Sequence, residues 1–293
     1  MSGNREYRSD VFCLLFRDKR RALELYNALN GSFYDDPGQV ETVELGNGGI
    51  SLSVRNDASF ILDAHLNIYE HESTICPNMP LRCLIYFTTI VHGRFWNKNI
   101  YGRRLVKIAA PHFVVFYNGT EEAPAQYRLK LSDAFEHSTG EPEIELTCLV
   151  YNINKGKNPA LIAQSPTLRD YMYFVDLVRE YDAKTNHADL AGAIKLAIRQ
   201  CITENVLKNF LKKHYTEVVK MMQWDFTFEH RLELEREEAR EEGREEGKED
   251  GRRQEANDIM EVARALRSGA SNDDLKKKYR LSTIEHAREL LQI

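Results

Sequence analysis

Asn56-Asp57-Ala58-Ser59-Phe60-Ile61-Leu62-Asp63-Ala64-His65-Leu66-Asn67-Ile68-Tyr69-Glu70-His71-Glu72-Ser73-Thr74 is the stretch on which the reading of this chain turns. Phe60, Leu62, Ala64, Leu66 and Ile68 recur at every second position, the period of a strand. Ile50, Leu52 and Val54 alternate in the same way just upstream. The two runs are therefore expected to form a hairpin, with strands near 50–57 and 60–72. The alternation stops at Glu70. Residues i and i+2 of a strand share a face, so Glu70 and Glu72 should project together. Asp57, at the end of the first strand or in the turn, can approach them across the hairpin. Three carboxylates at the rim of a sheet repel one another unless a cation sits between them. Hard oxygen donors suit Mg²⁺ or Mn²⁺, and such an ion polarises a phosphodiester and lowers the pKa of an attacking water. Acids at strand ends are more often simply solvated, and a D…ExE spacing is short and degenerate. On spacing alone, both readings stand.

Upstream, Val11, Leu14, Leu15, Leu23, Leu25, Tyr26 and Leu29 recur at helical spacing, which predicts a helix over 10–30, with Asp18 placed to cap its second half. Val40 to Leu45 reads as a short strand. Downstream, Pro80 suits the first turn of a helix over 81–96. Strands follow at Phe113–Tyr117 and Ile144–Asn152, and Thr167 to Met222 becomes helical in two or three segments.

The chain has 293 residues, 42% hydrophobic and 29% charged, enough apolar material for a packed core, and a net charge of −5. Between Glu229 and Glu255 twelve acids face seven bases, so the remainder is about neutral and a basic face on it is not excluded. Cys13, Cys76, Cys83, Cys148 and Cys201 show no CxxC or Cys/His ligand spacing and read as reduced core thiols. The N-terminal residues lack an apolar signal region, and no apolar run approaches the ~20 residues of a membrane span. A cytoplasmic protein without a membrane partner is expected. No P-loop, dinucleotide fingerprint or Ser/His/Asp arrangement is present.

Several segments, taken in order, resemble the Rpn family of recombination-promoting nucleases and putative transposases within the PD-(D/E)XK superfamily. They are Ser9-Asp10-Val-Phe-Cys13 with Leu14 and Phe16; Asn56-Asp57-Ala-Ser-Phe60; Glu70-His-Glu-Ser-Thr74 with Cys76-Pro-Asn-Met-Pro-Leu-Arg82; Tyr117-Asn-Gly119; Leu131-Ser-Asp-Ala-Phe135; and Asn152-Ile-Asn154. The resemblance spans roughly residues 8–222. It implies an α/β fold with an αβββαβ core, a central mixed sheet flanked by helices, and a Mg²⁺- (or Mn²⁺-) dependent DNA endonuclease. Asp57 and Glu70 match the family's metal acids. Position 72 usually carries Lys in the superfamily and Gln in this family; here it is Glu72, which cannot donate a proton when ionised but can accept one from water or join the metal shell. That departure supports the alternative of a silenced nuclease fold that binds DNA or serves assembly.

Weaker candidates surround this trio. Asp10, whose other reading is a plain N-cap, and Glu24 lie on the first helix, where either could supply a third acid. Arg82 could touch the scissile phosphate. Trp96, Lys98, Arg103, Arg104 and Lys107 interleave an aromatic with bases, which suits DNA contacts or equally a polar loop with Trp96 in the core. His71 should point away from Glu70 in a structural role, and Asp63 and His65 fall in a polar, solvated phase.

The expected domains are 8–225, a nuclease-like unit; 226–256, a charged helix or spacer; and 257–293, a small helix-turn-helix-like segment. In the middle section opposite charges fall at i,i+3 and i,i+4, while Gly243, Gly247 and Gly251 each cost a helix about 1 kcal/mol relative to Ala. A mobile spacer and a helix–helix seam lined by these glycines are both open readings. The tail helices, with Ser271 or Asn272 and Ser282 as caps, could contact DNA or carry homo-oligomer association.

Overall fold

The structure, a computed structural model, describes residues 11–43, 58–95, 98–137 and 140–291. The chain divides into two units, Met1–Glu229 and His230–Ile293.

In the first unit, the helix expected over 10–30 is two: α1 (Val11–Phe16) and α2 (Lys19–Asn30). Asp18 makes the break, its carboxylate accepting from the backbone N–H groups of Arg20 and Arg21 as an N-cap. Gly31, at φ +62°, closes α2 in the left-handed conformation that glycine adopts without strain.

The expected strand over 60–72 is itself a hairpin. Strands β2 (Ala58–Leu62) and β3 (His65–Glu72) pair antiparallel, with Leu62 opposite His65. Asp63 and Ala64 form the two-residue turn, both at positive φ (49° and 59°), as a type I′ turn requires. The expected first strand over 50–57 lies outside the described residues. The reason for the misreading is geometric. Across a two-residue turn the paired residues i and i+3 share a face, so the residue parity reverses. Phe60 and Leu62 pack with the helices of one side, Leu66 and Ile68 with those of the other. Both faces of the sheet are covered, so the alternation runs unbroken through the turn.

A short edge strand β1 (Glu41–Thr42) precedes this hairpin, and β4 (Ala110–Tyr117), β5 (Gln126–Lys130) and β6 (Thr147–Asn152) complete a six-stranded mixed sheet in the order β1-β2-β3-β4-β6-β5. The central pairs β3–β4 and β4–β6 are parallel; the outer pairs are antiparallel. The parallel step from β3 to β4 needs a crossover, and α3 (Met79–Phe95) supplies it.

On one face lie α1, α2, α5 (Pro166–Lys184), α6 (Leu190–Thr203), α7 (Lys208–Lys213) and the first turns of α8 (Tyr215–Arg267), packed on Phe60, Leu62, Tyr69 and Phe116. The short α4 (Pro159–Gln164) precedes α5. On the other face α3 covers Leu66, Ile68, Phe113, Val115 and Val150 through Met79, Cys83, Tyr86 and Ile90. The result is a mixed α/β fold with helices on both sides of the sheet.

All five cysteines are free, four of them buried. A hydrogen bond with Cys148, together with burial, pushes the Cys83 thiol far up, and burial raises Cys201 to about 12. Both are inert core thiols.

In the second unit α8 continues as helix through the charged repeat to Arg267. Nothing lies within 4 Å of a Cβ built on Gly243, Gly247 or Gly251, so among the described residues these glycines line no seam within the chain. The last turns of α8, with α9 (Asn272–Lys278) and α10 (Leu281–Leu291), close around Val262, Leu275, Ile284 and Ala287. Ser271 caps α9 as expected. Ser282 is not the cap of α10: the helix starts one residue earlier, and the Arg280 carbonyl accepts from Thr283 and Ile284.

Candidate active site

Glu70 and Glu72 end β3 and share the face that α3 covers. Glu70 is 0% exposed. A carboxylate so placed needs a counter-charge or hydrogen bonds to stay ionised. Arg82, in the first turn of α3, provides one. Its guanidinium donates to Glu70 Oε2 at 2.9 Å and to Glu72 Oε1, and its Nε donates to the Tyr86 hydroxyl at 3.1 Å. One rigid fork thus spans both acids, the geometry that suits arginine better than lysine. These three groups sum to −1, so the pair retains an excess of negative charge.

The surrounding backbone is fixed by a second set of polar contacts. The carboxyl ends of β3, β4 and β6 lie side by side, the position where open α/β sheets place their ligands. Asn118, following β4, donates its backbone N–H to the Glu72 carbonyl at 3.1 Å. Gly119 passes so close to residue 73 that an added Cβ would lie 1.9 Å from the Ser73 carbonyl oxygen; only glycine fits without moving backbone. Asn154 donates to the Gly119 carbonyl at 2.9 Å, and Arg179 from α5 donates to Asn154 and to the Asn118 carbonyl. Sequence reasoning singled out Tyr117-Asn-Gly119 and Asn152-Ile-Asn154 but missed Arg179, which ties the two loops together.

His71 points to the opposite face, as expected. Its ring stacks on Phe12 at 5.1 Å, and Nε2 meets the Tyr171 hydroxyl at 3.1 Å. Asp63 is exposed in the turn, as expected, while His65 is half-buried. The Tyr34 hydroxyl donates to Asp63 at 3.0 Å, and His65 stacks on His112 at 4.7 Å with Nδ1 buried. Burial, and then the neighbouring His65, lower the His112 pKa.

The sequence candidates fall in different places. Glu70, Glu72 and Arg82 come together. Glu24 does not join them: its carboxylate accepts from the Ser165 hydroxyl and from the Thr167 backbone N–H and hydroxyl, at 2.7–3.0 Å. It holds the N-terminus of α5, where a negative charge meets the helix dipole favourably. Lys98, Arg103, Arg104 and Lys107 occupy an exposed segment between α3 and β4 that also exposes Tyr101 and Leu105. Asp57, Asp10 and Trp96 lie outside the described residues. Among the described residues no group of three His, Cys, Asp or Glu side chains could hold a metal ion, and no helix is long and apolar enough to cross a membrane.

No protein-family model, no curated protein and no solved structure matches this chain.

Proposed function

We propose that the chain is a metal-dependent DNA endonuclease of the PD-(D/E)XK type, with Glu70 and Glu72 at its centre. The observation that carries this reading is a buried Glu70 and a half-buried Glu72 on one face at the carboxyl end of a parallel strand, with the Arg82 guanidinium engaging both. Element order supports it: helix, three strands, helix, strand, the sequence of an αβββαβ core. The donor set fits Mg²⁺ or Mn²⁺, which take carboxylate oxygens and complete their shells with water and substrate phosphate. Asp57 and Glu70 would hold it, with Glu72 assisting the ion or the water. A bound divalent ion supplies Lewis-acid polarisation of the phosphodiester and a more acidic water. Glu72 would accept a proton from water, and Arg82 would offset charge on the attacked phosphate. Lys98, Arg103, Arg104 and Lys107 would contact the DNA backbone. Recombination is the process such a nuclease would serve.

A second reading, a silenced nuclease fold that binds DNA or serves assembly, is favoured by one observation: Arg82 already engages both carboxylates. Plasmid nicking by the purified chain with Mg²⁺, Mn²⁺, Ca²⁺ or EDTA separates the two. Nicking that Asp57→Ala and Glu70→Ala each abolish, with folding retained, supports the nuclease. Glu72→Gln lowers the rate strongly where Glu72 is a metal ligand or base, and preserves it where Glu72 only stands in for Gln. Absence of nicking with any metal, on single- or double-stranded DNA, overturns the nuclease reading.

A further inference from the structure

We propose that the start of α2 and the helix α7 together form a second, sequence-independent docking surface for the phosphate backbone of duplex DNA, apart from the carboxylates and from the 98–109 segment. The polyanion is identified as DNA through the nuclease reading; the surface itself rests on charge and geometry.

Arg17-Asp18-Lys19-Arg20-Arg21 places four bases in five residues, and Lys208-Asn-Phe-Leu-Lys-Lys213 adds three with no acid. The two segments meet where the Arg21 guanidinium lies 5.2 Å over the Phe210 ring. The two segments together hold seven bases and one acid, in a chain whose net charge is −5. That acid, Asp18, is turned into the helix as its N-cap. Residues 17–21 and Pro37 line an open depression of about 660 Å³.

Some exposed lysines elsewhere pair with acids one turn away, as in Lys184–Glu180 and Lys277–Asp274. Among the described residues, no ion pair engages Lys19, Arg20, Lys212 or Lys213. A basic surface on a protein of acidic composition concentrates positive potential in one place. Its apolar residues are spent inward: Phe210 and Leu211 are buried, and no large hydrophobic is exposed within residues 17–21 or 208–213. A peptide partner needs an apolar anchor, and an interfacial membrane contact needs an apolar face. Phosphate contacts need only cations. The surface lies on the side of the sheet to which His71 points, where its ring meets Phe12, opposite the face that Glu70 and Glu72 share.

The test measures binding of the full chain to a short mixed-sequence duplex by fluorescence anisotropy in EDTA, over about 50–200 mM salt. In the variant Lys19→Gln/Arg20→Gln/Lys212→Gln/Lys213→Gln, the salt slope of the association constant should fall by roughly 0.9 for each phosphate that the protein no longer neutralises. Affinity at low salt should fall tenfold or more. Lys184→Gln should leave both unchanged. These positions are exposed, so the thermal unfolding of the variant should match the parent and show that it folds. Parent binding that the variant retains in full overturns the surface and leaves the nuclease reading untouched. Failure of the parent to bind duplex overturns the surface as well, while nicking tests the nuclease independently. Patch-dependent binding to anionic vesicles or to polyglutamate, without binding to DNA, also overturns it.

Discussion

Replacing Arg82 by methionine removes the fork over Glu70 and Glu72 while keeping a side chain of similar reach. Its donor interactions disappear, among them two to carboxylates, one to the Tyr86 hydroxyl and one to the Cys76 sulfur. Glu70, 0% exposed, then loses its facing cation. Breaking a buried ion pair by deleting one partner costs about 3–5 kcal/mol, because the remaining charge stays desolvated. The Arg82 side chain is 23% exposed and that of Glu72 14%, so water offsets part of the loss and the lower end, about 3 kcal/mol, is expected. For a domain of this size that corresponds to roughly 6–12 °C in Tm. Urea unfolding followed by circular dichroism measures it. Adding Glu70→Gln to Arg82→Met should recover much of the loss, because a neutral amide is buried at lower cost than a carboxylate that has lost its arginine. If Arg82→Met costs less than about 0.5 kcal/mol, the size of an ordinary surface change, the fork does not hold the site and the reasoning is wrong.

Glu24→Ala removes three acceptor interactions at the start of α5 and should cost about 1–2 kcal/mol in urea unfolding, within the range for loss of a helix cap; an unchanged midpoint would deny Glu24 its structural role. Ala64→Gly should stabilise the hairpin by several tenths to about 1 kcal/mol, since Ala64 sits at φ 59° where an L side chain is strained; a lower Tm would refute the turn. For His112 the folded pKa is lowered below 6.5 by burial and by His65. Stability from this group is full above about pH 6.5 and is lost as pH falls toward the folded value, so His112→Asn should shrink the acid-side decline between about pH 7 and 5; an NMR titration placing His112 at or above 6.5 would contradict this.

Where two-fold periodicity met a strand, the sequence was a good guide: β4, β6 and the hairpin region are all strands. What it concealed was the turn at Asp63-Ala64. Asp-Ala carries no glycine to announce left-handed backbone, and helices on both faces of the sheet keep the apolar alternation intact while the residues swap sides. β5 was invisible because its residues Gln126-Tyr-Arg-Leu-Lys130 form an edge strand with only two half-buried apolar positions. Asp18 was legible as a cap, yet its effect, two helices instead of one, was not, because α1 is buried almost all round and has no polar stripe to set its end. The glycines of the charged repeat argued against a helix by intrinsic propensity; α8 runs through them regardless.

The candidate site divides along the same line. Glu70 and Glu72 share a face because strand geometry requires it, and neighbours two apart in sequence suffice to see that. Their dependence on Arg82 crosses a loop and a change of element, and no local pattern encodes such a contact. It also bears on the residue that departs from the family resemblance. A lysine at position 72 would place its ammonium beside the Arg82 guanidinium, two cations against Glu70 alone. With Glu72 in place, one fork serves two acids and the three groups sum to −1, against +1 with lysine there. Cation binding favours the former balance, through Coulomb attraction and relief of carboxylate repulsion. On the proposed nuclease reading, the positive charge that a lysine at position 72 would bring is carried instead by Arg82 of α3, whose guanidinium engages both Glu70 and Glu72.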